Sequence, residues 1–322
     1  MERRNFQDRA SVLADVAEMY YLEQKNQAEI AKAVGVTRSM ISRMLTEARE
    51  NGIVEIRIQR PLQADTELEE ALREKFGLKD VFVVTTRHQV GERLTRTLGS
   101  AGAHMLGRYL APNKILGLAW GTSISATVDA FEAVESMPVK VVQLVGAMGA
   151  RNMEYDGHDL VSRIAEKLGG EAYYLNAPYL CQNAEMAKAL LETKSVRETI
   201  SVGKKTDIAL LGVGTTHPEH SSFYLAGYVT RRELDDLRKA GAIGDVCGLH
   251  FDINGQPACD DFCERLVSIR RPDLLSIPVR LGVAGGEGKA EAILGALRSR
   301  YVNVLVIDSH AARKVLALAN SK

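Results

Sequence analysis

Along the first 60 residues apolar side chains recur at helical spacing. Val12, Leu13, Val16, Ala17 and Tyr20 predict a helix over about 9–23, and a shorter one follows over 27–34. Gly35-Val36-Thr37 interrupts the pattern; a third helix over about 38–50 then runs to a stop at Asn51-Gly52. Two short helices joined by a glycine turn are the pattern of a helix-turn-helix. Ile30, Val34 and Val36 from one side and Ile41 and Met44 from the other would close its core, with Ala31 small enough to let the helices cross closely. After Gly52, the alternation Ile53-Val54-Glu55-Ile56-Arg57-Ile58-Gln59-Arg60 predicts a half-exposed strand, a wing beside the helices.

Pro61 ends that strand, and Asp65-Thr66 opens a charged helix over 67–76 with Leu68, Leu72 and Phe76 in one stripe. The stripe suits either a linker helix that pairs with its copy in a second subunit or one that packs on its own domain. From Asp80 onward the period changes. Short apolar runs at 81–84, 115–119, 139–145, 172–175, 208–213, 246–251, 279–283 and 302–307 are mostly separated by helical stretches. Continuous apolar strands alternating with helices predict an α/β domain, its sheet mostly parallel and covered on both faces. The expected domains are therefore 1–60, a linker or oligomerisation segment over 61–78, and 79–322.

A chain of 322 residues is long enough for roughly two domains. Its 46% apolar and 25% charged residues exclude a disordered polymer or a fibre. No uncharged apolar stretch reaches the ~18 residues of a membrane span, and the first eight residues lack the apolar core of a signal peptide, so a cytoplasmic protein with no membrane partner is expected. The 41 basic and 41 acidic side chains cancel, so any nucleic-acid binding must come from a local patch. Over residues 1–60 ten Lys/Arg face nine Asp/Glu, a net of +1, which makes the non-specific affinity of one copy weak. Cys181, Cys247, Cys259 and Cys263 read as reduced thiols. Only Asp260-Asp261-Phe262 separates the last two, and this is not a standard zinc spacing.

Two regions carry candidate chemistry. In the third helix Thr37 is placed to cap the first turn, leaving Arg38, Ser39, Ser42 and Arg43 on the outer face, where side chains meet base edges and phosphates in a major groove. In the larger domain the glycines gather at strand ends, where open parallel sheets bind ligands. Gly121-Thr122-Ser123 opens a helix whose free amides suit a phosphate or sugar oxygen. Gly212 and Gly214 follow another strand. Gly285-Gly286-Glu287-Gly288-Lys289 follows a third, with Lys289 able to neutralise an anion. Asp245, at the entrance of a further strand, could accept from two hydroxyls, as sugar recognition requires, or cap a turn. There is no P-loop and no GxGxxG after the first strand, so no nucleotide cofactor is expected. His104, His158, His217, His220, His250 and His310 are dispersed and read as structural. Neither a metal site nor a catalytic residue is expected.

Gln27-Ala28-Glu29-Ile30-Ala31, Gly35-Val36-Thr37-Arg38 and Ile41-Ser42-Arg43, followed by Trp120-Gly121-Thr122, Gly244-Asp245 and Gly282-Val283-Ala284-Gly285-Gly286 with Lys289, resemble the SorC family of bacterial sugar-responsive transcriptional regulators. The resemblance covers nearly the whole chain. It implies a helix-turn-helix domain joined to a Rossmann-like sugar-binding domain similar in fold to glucosamine-phosphate deaminase and ribose-phosphate isomerase. It also implies a homotetramer arranged as a pair of dimers, whose affinity for double-stranded operator DNA changes when a sugar, sugar phosphate or polyol binds. The DNA-binding candidates are Gln27, Thr37, Arg38, Ser39, Ser42 and Arg43. The effector candidates are Gly121, Thr122, Ser123, Gly212, Gly214, Asp245, Gly285, Gly286, Glu287 and Lys289. Ser123 stands where many members have a second threonine, and residues 143–149 carry no cation where members that clamp a phosphate often have one.

Two other classes compete. A sugar-phosphate isomerase or deaminase on the same sheet would use a general base such as Asp245 or Glu287, with Lys289 stabilising developing negative charge. The sequence pairs no such base with an orienting partner, and the N-terminal helices would then have no purpose. A non-DNA adaptor would use the first 60 residues to contact another protein.

Overall fold

A computed structural model describes residues 2–54, 61–87, 89–133, 135–149 and 155–321, with residues 2–8 through their backbone. The chain divides into two compact units, Met1–Pro61 and Leu62–Lys322.

The first unit holds α1 (Glu2–Tyr21), α2 (Gln27–Val34) and α3 (Arg38–Glu50), so the first helix starts well before the apolar pattern that reveals it. The helix boundaries follow from local chemistry. Asn26 and Glu29 form a reciprocal capping box at the start of α2. Gly35 adopts φ +76, the left-handed conformation that ends α2 and reverses the chain. The Thr37 hydroxyl then accepts the Met40 amide at 3.3 Å to open α3. Leu13, Val16 and Ala17 of α1 pack on Ile30 and Ala31 of α2 and on Ile41, Met44, Leu45 and Ala48 of α3, all buried, with Val34 and Val36 at the edge. Of the expected wing, residues 55–60 lie outside the described residues; Ile53 and Val54 pack against this core.

The second unit is α/β. Its seven-stranded sheet comprises β1 (Asp80–Val84), β2 (Ile115–Leu118), β3 (Lys140–Gln143), β4 (Glu171–Tyr173), β5 (Ile208–Gly212), β9 (Val279–Val283) and β10 (Val304–Asp308). The strands are parallel throughout, in the order β1-β10-β9-β5-β2-β3-β4. From β2 the chain works outward through β3 and β4, then returns to lay β5 on the other side of β2 and works outward the other way. The boundary between β2 and β5 is thus the switch point at which such sheets leave a crevice. Helices α4 (Thr66–Phe76), α5 (Gly91–Gly107), α6 (Thr122–Ala130) and α7 (Gly157–Leu168) belong to this unit. Leu72 of α4 is fully buried in its core, Leu68 and Phe76 pack half-buried against it, and the Glu69 carboxylate accepts the Val83 amide at 3.0 Å.

One apolar run is not a strand of this sheet. Residues 246–251 belong to a three-stranded antiparallel sheet, β6 (Gly214–Thr215), β7 (Gly244–Val246) and β8 (Leu249–Phe251). Cys247 and Gly248, at φ +54 and +77, make a tight turn in the middle of the run. The turn is held by the Asp245 carboxylate, which accepts the Gly248 amide at 3.0 Å.

Candidate functional site

After β2 the chain passes through Ala119 and Trp120 to Gly121, whose φ of +126 with ψ of 170 is a conformation open essentially to glycine alone. That geometry turns the strand directly into α6. The Gly121 carbonyl accepts the Ser125 amide at 2.9 Å, so the amides of Thr122, Ser123 and Ile124 form the first turn, which has no intrahelical acceptors and carries partial positive charge. Beside it β5 ends at Gly212, and β6 begins at Gly214. Antiparallel pairing places Asp245 of β7 opposite Gly214. A β-carbon at 214 would lie 2.0 Å from Asp245 Oδ1, so glycine here makes room for the carboxylate. From the third side comes Lys289, at the end of the short 3-10 turn Glu287–Lys289, its ammonium donating to the Val213 carbonyl at 3.1 Å.

These loops form a crevice open to solvent, lined by residues 119–124 and 212–215 together with Ser222, Phe223, Asp245, Cys247 and Lys289. It sits at the switch point between β2 and β5. Seven of the ten effector candidates, Gly121, Thr122, Ser123, Gly212, Gly214, Asp245 and Lys289, are brought together there. Gly285, Gly286 and Glu287 are not part of this lining. The Gly286 amide donates to Asp308 Oδ2 at 2.6 Å, and a β-carbon on Gly285 would lie 2.5 Å from the same oxygen. Those two glycines therefore admit Asp308, which caps the helix Ser309–Asn320 through the amides of His310 and Ala311. Glu287 points to solvent beside His310.

Ser222, Phe223 and Cys247 also line the crevice without being among the expected residues; they come from a one-turn helix, Ser222–Leu225, and from the turn between β7 and β8, both too short to mark a periodic pattern. Phe223 lies 6.3 Å from Trp120 and 5.5 Å from Tyr179, ring to ring, giving the crevice an aromatic wall. Burial dominates the electrostatics. Lys289 is half-buried; withdrawal from water lowers its pKa, and the Asp245 carboxylate offsets part of that. The Cys247 thiol is pushed far up by burial and by Asp245, and Cys263 is pushed up to about 11, first by burial, so neither offers a thiolate. Tyr179 is likewise raised, by burial first and then by Asp245.

In the helical unit Arg38, Ser39, Ser42 and Arg43 are all exposed on α3, with Thr37 at its cap and Gln27 half-buried at the start of α2. Two features were not expected. Arg9 forms a two-pronged bond to Glu47, at 2.7 and 2.5 Å, which lowers the Glu47 pKa and offsets its negative charge on the α3 surface. Thr46 is exposed one turn beyond Ser42, and its hydroxyl donates to the Ser42 carbonyl at 3.1 Å.

Comparison with known proteins assigns the two units. Residues 60–317 match the family described as "Putative sugar-binding domain", and residues 26–54 match "Bacterial regulatory proteins, crp family". The chain is 30% identical over 311 residues to the sorbitol operon regulator of Klebsiella pneumoniae, covering 96% of this chain and 98% of that one. The crystal structure of that full-length regulator, SorC, superposes with a TM-score of 0.71 over 96% of this chain and 99% of the other. The chain belongs to the SorC family. A deoxyribonucleoside regulator of Bacillus subtilis (strain 168) is also 30% identical, over 302 residues that make up 94% of this chain and 96% of that one. The chain is accordingly a DNA-binding transcriptional regulator under effector control, with a helix-turn-helix unit and a sugar-binding unit. Among the described residues no helix is long and apolar enough to cross a membrane.

Proposed function

We propose that the crevice between β2 and β5 is the effector site and takes a sugar, sugar phosphate or polyol, and that α3 reads the operator. What carries this reading is the convergence on one crevice of a helix N-terminus, a lysine and an aspartate from three separate loops. Asp245 accepts from ligand hydroxyls. Trp120 and Phe223 offer apolar faces to sugar C–H groups. Lys289 with the Thr122 and Ser123 amides and hydroxyls favours a phosphorylated sugar over an uncharged one. The names of the sorbitol and deoxyribonucleoside regulators support a carbohydrate-type effector.

On the DNA side, Arg38, Ser39, Ser42 and Arg43 enter the major groove, while Gln27 and Thr37 meet phosphates. With a local net charge of +1, one copy binds weakly, which supports a homotetramer built as a pair of dimers that doubles the phosphate contacts on each operator. The protein works in the cytoplasm and is not an enzyme, a reading supported by relatives named as regulators.

Calorimetric titration with a panel of sugars, sugar phosphates and polyols tests the pocket. One compound should bind at one site per chain, and Lys289→Met and Asp245→Asn should each weaken it at least tenfold while operator binding without effector stays unchanged. Equal affinity in parent and variants would remove the crevice from the account. Turnover of a sugar phosphate by the purified protein would revive the isomerase or deaminase reading.

A further inference from the structure

We propose that His217, Glu219 and His220 form a binding site for a first-row divalent transition metal of the zinc class, at the rim of the crevice. One donor atom from each of the three lies within 4.8 Å of the others, and among the described residues this is the one group of three or more such side chains so placed. In a tetrahedral set, bonds of about 2.0–2.2 Å put the donors about 3.4 Å apart, so this group must close by as much as about 1.4 Å, which rotation of the exposed His217 and Glu219 side chains supplies. Two imidazole nitrogens and a carboxylate oxygen are a set that selects zinc, cobalt, nickel or copper over magnesium and calcium, and three protein ligands leave coordination positions for water.

The loop is arranged in advance. Pro218 fixes one backbone torsion between the ligands. The His217 amide donates to Thr215 Oγ1 at 3.1 Å, and the His217 carbonyl accepts the amides of His220 and Ser221 at 3.0 and 2.8 Å. The two rings lie 5.4 Å apart and are inclined at 28°. His220 is also fixed from outside the loop, because it packs so closely on Gly288 that a β-carbon there would lie 2.4 Å from Nε2. The loop runs between Thr215 and Ser222, both on the crevice wall, which places the ion at its rim.

Full-length protein, freed of any affinity tag and stripped with chelator, should give one equivalent of cobalt(II) visible absorption per chain. Zinc should displace the cobalt, and magnesium should not. Removing a direct ligand should cost more than the roughly 10- to 100-fold that outer-sphere partners cost, so His217→Ala and His220→Ala should each lose at least a hundredfold in zinc affinity by calorimetry. Glu219→Gln gives a third, near-isosteric variant, and far-UV circular dichroism on each confirms folding. Because no effector is present, the result stands apart from the reading of the crevice. Absence of saturable cobalt absorption in the parent, or equal zinc affinity in parent and histidine variants, would overturn the site.

Discussion

The two units present their chemistry in opposite ways. In the helical unit, among the described residues, nine buried apolar side chains hold three helices together, and every candidate recognition side chain except Gln27 is exposed on the surface of α3 and its cap. In the sheet unit the core runs through six of the seven parallel strands, with edge strand β4 half-buried against it, and the candidate ligand groups are half-withdrawn in a crevice, where burial shifts Lys289 and Cys247. The surface of α3 suits a partner that brings its own charge and groove. The crevice suits a small ligand that must be desolvated and gripped from three sides. Because the small unit rests on so few buried residues, a single core change should unfold it while the large unit survives.

The largest expected effect tests that inequality. Ile41→Ala opens a cavity at a fully buried position and should cost about 2–5 kcal/mol, a large share of what so small a unit has. Operator binding should vanish while effector binding persists, measured by mobility shift and calorimetry on one preparation. Loss of both would show that the units fold as one. Next, Arg43→Ala should lower operator affinity by about 1–3 kcal/mol, if it meets a base edge, and leave effector affinity alone. Unchanged operator affinity in a titration at fixed salt would remove Arg43 from the interface.

Within the crevice two glycines separate steric need from mere presence. Gly214→Ala must displace the Asp245 carboxylate and should weaken effector binding at least tenfold, whereas a β-carbon on Gly212 would meet nothing closer than 3.7 Å and Gly212→Ala should bind nearly as the parent does. Equal affinities in the two variants would show that Asp245 does not need its present position. The smallest effect is a pH dependence confined to the large unit. Burial lowers the pKa of His250, against a smaller opposing pull from Asp245, so the folded state favours its neutral form. Stability from this group is complete above the ordinary value of 6.5 and is lost as pH falls below it toward the lowered folded value. Thermal unfolding from pH 7.5 to 5.5 should show this loss, and His250→Gln should flatten it; an identical slope in the variant would assign the dependence elsewhere.

Legibility in the sequence followed the physics of each element. Gly35 and Thr37 announce the turn and cap because their local chemistry admits few other conformations, and continuous apolar runs announce buried parallel strands. The run over 246–251 misleads because Cys247 is apolar and Gly248 sits inside it, so a hairpin turn looks like one strand. Gly285 and Gly286 show a different limit: nearness in the chain to Lys289 does not place them in the crevice lining, and both lie against the Asp308 carboxylate. Ser222 and Phe223 carry no signal because the helix that delivers them, Ser222–Leu225, is a single turn and too short to show a period. The contact between His217 and His220 was hidden in plain spacing, since only the turn geometry brings the rings together.

The central claim is that one small molecule in the crevice changes the affinity of α3 for DNA, and linkage demands that the two binding free energies shift each other equally. The most direct measurement is binding to the DNA upstream of the protein's own gene, with and without the panel of sugars, sugar phosphates and polyols. The account predicts saturable, salt-dependent binding that one compound alters by at least tenfold, a coupling of about 1.4 kcal/mol. No specific binding at low salt, or specific binding that no compound changes, would contradict it.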